Sequence, residues 1–112
     1  MEKQTPAQVD GYILELYRHG NDVPVYVSVF DQKADVGFED YSESKEDSVV
    51  FECREALLPL ASVEVEAIIM DGDKEVSAFD GFRILPFQGD TRSRLVTVAE
   101  LEQALRTFEG QA

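Results

Sequence analysis

The sequence predicts an α+β fold, a small antiparallel sheet of about four strands with an N-terminal and a C-terminal helix packed on it. Three observations carry this expectation. Two segments near the ends, "TPAQVDGYILELYRHG" and "TVAELEQALRTFEG", combine an apolar stripe at helical spacing with capping residues. Between them, "VPVYVSVF" and "SVEVEAIIMDGDKEVSAFDGFRILPF" alternate in twos and are rich in β-branched and aromatic residues. Helices and strands do not alternate as βαβ units, which favours an antiparallel layer. At 112 residues the chain has the size of one domain, and 1–112 reads as a single domain with an acidic loop at 31–47.

In the first segment Thr5 and Gln8 have capping-box spacing, Pro6 suits a first turn, and Val9, Tyr12, Ile13, Leu16 and Tyr17 fall on one helical side. His19 and Gly20 make an ordinary helix ending. A strand reading competes, because Tyr12, Leu14 and Leu16 also alternate and Gly11 weakens a helix. Residues 23–30 form a strand, with Pro24 near its start. Residues 48–60 begin as a strand around "SVVFE" and pass into helix-prone "REALL", with Pro59 expected to stop either. The turn "DGD" at 71–73 closes an antiparallel hairpin, and Asp80-Gly81 marks a bulge in its return strand. Residues 86–94 read as a loop. Thr97 and Glu100 then form a capping box for the last helix, whose stripe is Leu101, Ala104, Leu105 and Phe108.

Composition excludes several classes. The 23 acids and 10 bases leave a net charge of −13, which opposes direct binding to nucleic-acid phosphates and to anionic membrane surfaces. No apolar run approaches the roughly 20 residues of a membrane helix, and "MEKQTPAQVD" lacks a signal-peptide core, so a cytoplasmic protein is expected. Cys53 is the only cysteine and reads as a buried, inert small hydrophobe.

Tests for chemistry come out against catalysis and against a metal or cofactor. A calcium loop starting at Asp31 has Lys33 at its third position and Val36 at its sixth; one starting at Asp71 has Val76 at its sixth and Phe82 at its twelfth. Glu64 and Glu66 share a face if they lie on a strand, at a spacing near that of an inverting glycosidase, but nothing else in the sequence makes a sugar cleft. His19 is the only histidine, which excludes a multi-histidine metal site. "GDTRSR" lacks the glycines and lysine of a phosphate loop, and its Arg92 and Arg94 form a small basic island.

What stands out is "DQKADVGFEDYSESKED", with seven carboxylates and two lysines in seventeen residues. It is expected as an exposed, mobile loop, with Asp35, Phe38, Glu39, Asp40, Tyr41, Glu43, Glu46 and Asp47 as candidate partner-binding residues. The competing expectation is that both rings fold back over the sheet edge. The function expected is that of a non-enzymatic acidic module that binds a basic protein partner. Beside it stand a nucleic-acid mimic that inhibits a DNA-binding protein, a small enzyme or shared-site subunit, and a structural assembly subunit.

One prediction needs only the sequence. Thr97→Ala should cost about 1 kcal/mol in urea unfolding; an unchanged midpoint and slope would remove the cap.

Overall fold

The computed structural model describes residues 9–33, 37–90 and 94–110. The fold is α+β, with two helices and a mixed sheet of six strands rather than about four. The largest correction falls at the front of the chain, where the expected N-terminal helix is instead strand β1 (Gly11–Arg18). Thr5, Pro6 and Gln8 of its expected cap lie outside the described residues. The physical reason is burial on both faces. Leu14 and Leu16 are fully buried on one side of β1, while Ile13 and Glu15 are nearly so on the other. A strand covered on two sides becomes a continuous apolar run, and such a run satisfies a helical stripe and a strand equally well.

Gly11 belongs to that strand for a reason of space. A Cβ there would lie 2.3 Å from Val50 Cγ1 and 3.0 Å from the Phe51 carbonyl oxygen. Gly20 ends no helix; with φ at +71° it turns the chain from β1 into β2 (Val25–Phe30). Val25 and Val27 of β2 enter the core, whereas Val23 and Val29 are exposed.

The stretch expected as a mobile loop is largely built structure. It contains β3 (Phe38–Ser42) and a one-turn 3₁₀ helix at Lys45–Asp47, with residues 34–36 outside the described part. Next come the short β4 (Val50–Phe51) and helix α1 (Arg54–Glu64). Pro59 does not stop that helix. Its missing N–H and ring clash, which cost about 3 kcal/mol inside a helix, are offset by the burial of Leu57, Leu60 and Ala61 around it. Cys53 is the N-cap residue of α1 rather than a core strand residue, and it is half-buried with Sγ 3.5 Å from Glu55 Oε1.

The hairpin forms, but later than expected: β5 (Ile68–Asp71) and β6 (Lys74–Ser77) meet at a two-residue turn whose Gly72 has φ +66°. Residues 63–66 lie in α1 and the turn after it, so Glu64 and Glu66 are not strand neighbours and make no paired-carboxylate site. The chain continues into β7 (Phe79–Phe87), which reaches into the expected loop. The register against β1 slips at Asp80, with Tyr17 opposite Gly81 and Arg18 opposite Phe79, which is the expected bulge. The Phe87 carbonyl accepts from Asp10 N, so alternation turns the Pro86 nitrogen to the free edge, where its missing N–H breaks no ladder bond. Strand β8 (Leu95–Val96) and helix α2 (Val98–Glu109) complete the described chain.

β1 organises the sheet. One of its edges pairs with β7 along its whole length; the other is shared by β2, opposite Glu15 and Leu16, and β4, opposite Tyr12. β3 flanks β2, and β8 lies parallel to β4. Both helices pack on the face that carries Leu14 and Leu16, in a core with Val27, Phe51, Leu57, Leu60 and Leu101. The N-terminus of α2 has the Thr97 half of the expected capping box, Thr97 Oγ1 accepting from Glu100 N at 3.3 Å, and a second cap from Glu52, whose carboxylate accepts from Val98 N at 2.8 Å. Among the described residues no helix is long and apolar enough to cross a membrane.

Gly11→Ala should destabilise the protein by about 1–3 kcal/mol, because the added methyl meets a buried side chain and a backbone carbonyl. Unchanged thermal and urea unfolding would mean that β1 and β4 do not approach as closely as described.

Candidate functional site

The candidate partner residues fall into three groups. Asp35 lies outside the described residues. Phe38 is a core residue and is withdrawn as a surface anchor: it is 7% exposed and stacks edge-on against Phe30 and Phe51, with centroids 6.2 and 6.1 Å away. The fold-back expectation therefore holds for this ring. The remaining six stay together along one border of the sheet. β3 is an edge strand, so Glu39 and Asp40 project from it into solvent, and Glu43, Glu46 and Asp47 follow at its end, all exposed. Few of these carboxylates meet a cation. Glu43 pairs with Arg18 Nη2 at 2.8 Å, while Asp47 accepts from Ser42 Oγ and Asp40 from the Tyr41 amide.

Tyr41 is half-buried. Its ring tilts against Phe79 at 6.0 Å, and the two help to wall a cleft of about 440 Å³ with Arg18, Val25, Glu43 and Ile69. The cleft exists because the β5–β6 hairpin projects beyond the end of the main sheet. His19, at the end of β1, lies 3.5 Å from both Asp71 Oδ2 of the hairpin and Asp80 Oδ1 of the bulge, an ion pair to each when the imidazole is protonated. Arg18 Nε and Tyr41 Oη, of two residues in the cleft wall, are covered and have no hydrogen-bond partner among the described residues. Buried donors are rarely left so, and each costs about 1–3 kcal/mol. The apolar floor, the acidic rim and these unpaired donors occupy one end of the molecule.

A second polar cluster was not anticipated from the sequence. On the face of β1 away from the helices, Glu15 is 9% exposed and accepts hydrogen bonds from Tyr17 through Oε1 and from Tyr26 through Oε2, the latter at 2.8 Å. Arg83, opposite Glu15 on β7, donates from Nε to the Tyr17 hydroxyl at 3.0 Å and stands 3.7 Å from Glu15 Oε1. Burial works against the ionised carboxyl, but the two tyrosine hydrogen bonds and the Arg83 charge together hold Glu15 below its ordinary value of 4.5. Burial, with the Glu15 hydrogen bond and charge, pushes Tyr26 up to about 12. The available signal was a carboxylate inside "YILELY", flanked by tyrosine at Tyr17; its partners Tyr26 and Arg83 come from other strands. Elsewhere, burial raises the Glu64 carboxyl.

Of the basic island, Arg92 lies outside the described residues, and Arg94 donates from Nη1 to the Glu46 carbonyl oxygen. No family model, curated protein or solved structure matches this chain.

The Glu15 cluster sets a pH dependence with two limbs. A depressed carboxyl adds stability that is full above 4.5 and is lost as pH falls through the lower folded value. In base, the unfolded chain releases the Tyr26 proton near 10.0 while the folded one holds it to about 12, so stability falls across that interval. Glu15→Gln should remove the acid limb and cost about 1–3 kcal/mol at neutral pH. Urea melts from pH 3 to 7, at about unit steps, check this; an acid limb of full size in the variant would assign it to other carboxylates.

Proposed function

We propose that the protein is a non-enzymatic binding module that takes a basic segment of a protein partner along the β3 border. The observation that supports this reading is a border of five exposed carboxylates, Glu39, Asp40, Glu43, Glu46 and Asp47, one of which, Glu43, also lines the apolar cleft beside Tyr41 and Phe79. An acidic rim draws in and orients a cationic chain, while an apolar recess beside it supplies the contact that keeps it. An edge strand also offers unpaired backbone groups to an extended segment, and its charges suppress indiscriminate pairing with other sheets.

The test uses a lysine-rich peptide with one central aromatic residue, followed by stopped-flow anisotropy over a range of salt. Changing Glu39, Asp40, Glu43, Glu46 and Asp47 together to amides should slow association about tenfold at low salt and flatten its salt dependence. Tyr41→Ala should speed dissociation, with association unchanged. An amide variant that associates like the parent protein would leave the acidic border with solubility as its only role.

A further inference from the structure

The face of the sheet away from the helices holds another cleft, which shares only Glu46 with the β3 border. It has a volume of about 380 Å³ and is lined by Ile13, Phe87, Ser48, Lys45, Glu46 and Arg94. Ile13 comes from the central strand and Phe87 from the end of β7, so the floor is apolar and held by the best-paired part of the sheet. Two wall residues are cations, in a chain with 23 acids and 10 lysines and arginines. Arg94 donates to a peptide oxygen, the Glu46 carbonyl, and has no carboxylate partner among the described residues. Lys45 has no hydrogen bond or ion pair from its side chain among the described residues. The neighbouring carboxylate, Glu15, is already taken up by Tyr17, Tyr26 and Arg83. Among the described residues of the wall, Glu46 is the one carboxylate that opposes an anion.

We propose that this cleft binds a small amphiphilic carboxylate, its apolar part against Ile13 and Phe87 and its carboxylate between Lys45 and Arg94. A monoanion fits better than a phosphate dianion, since one ammonium and one guanidinium face it and Glu46 stands against a second charge. The volume lies toward the small end of ligand pockets, which run from about 300 to 1,000 Å³. Lys45 lines the cleft together with Ile13, which places its ammonium over this face. The net charge of the molecule weakens long-range attraction for any anion, but at physiological salt that field is screened beyond about 8 Å, and the local pair decides.

Octanoate serves as the probe and octanamide as its uncharged match, each titrated into the full chain and followed by amide chemical shifts. Octanoate should give saturable shifts at Ile13, Ser48 and Phe87, and octanamide should give none that saturate. Lys45→Glu should weaken octanoate about tenfold, whereas Lys74→Glu, which changes net charge equally but sits at the hairpin turn, should leave it within about twofold. Lys45 is exposed and unpaired, so its variant should fold, and the spectrum itself verifies that. The proposal is overturned by an absence of saturable octanoate shifts, by equal response to octanamide, or by equal weakening in the two variants. The octanoate measurements leave all five border carboxylates in place, so each outcome is read separately from the peptide measurements on the β3 border.

Discussion

Everything in this fold depends on β1 being enclosed, since it is paired on both edges and covered on both faces. On one edge it carries β7 for its full length, and on the other it is divided between β2 and β4. Gly11 allows the crowded approach of β4, and Leu14 and Leu16 anchor the helices. Enclosure also explains the Glu15 cluster. An ionised carboxylate in a central strand requires donors and a counter-charge; Tyr17 of β1 and Tyr26 of β2 supply the donors, and Arg83 of β7 supplies the charge while donating to the Tyr17 hydroxyl. The cluster therefore locks three neighbouring strands in register as well as meeting the needs of one side chain.

Around that centre the molecule is uneven. Its radius of gyration is 15.3 Å, against about 13 Å expected for a compact chain of this length, and its extents are 60 × 33 × 27 Å. The β5–β6 hairpin is the least covered part of the sheet structure: every residue of β5 is exposed, with Ile68 and Met70 about three-fifths accessible. An isolated two-stranded ribbon is marginal in water, and here the Ala78 amide bonds the Ala67 carbonyl while the His19 amide bonds the Ala78 carbonyl, tying its base to β1. The cleft beside Tyr41 is the angle between this arm and the sheet.

Charge is segregated in the same way. The acidic excess concentrates on the β3 border and the turn after it, where it also guards a sheet edge. Lys45, Arg83 and Arg94 gather on the face away from the helices, around the Glu15 cluster and the Ile13–Phe87 cleft. A net charge of −13 therefore conceals two surfaces of different chemistry, and an average over the sequence describes neither.

Local signals were legible wherever neighbours in sequence settle the structure. The α2 cap at Thr97, the Gly72 turn, the Asp80 bulge and strand β2 all follow from the intrinsic preferences of a few adjacent residues, and the sequence by itself determined them, along with the α+β class and the acidic run. Where long-range packing outweighs local preference, the reading failed. β1 resembled a helix because both its faces are buried, Pro59 resembled a stop because only the core shows what its helix gains, and the acidic stretch resembled a loop because only β2 beside it makes β3 a strand. The candidate site divides along the same line: the exposed acids were visible as charge, but the cleft at Tyr41 needs the hairpin, and the Glu15 cluster needs Arg83 from 68 positions away. Tertiary structure alone decided these, because burial and hydrogen bonding act between residues that meet only when the sheet closes.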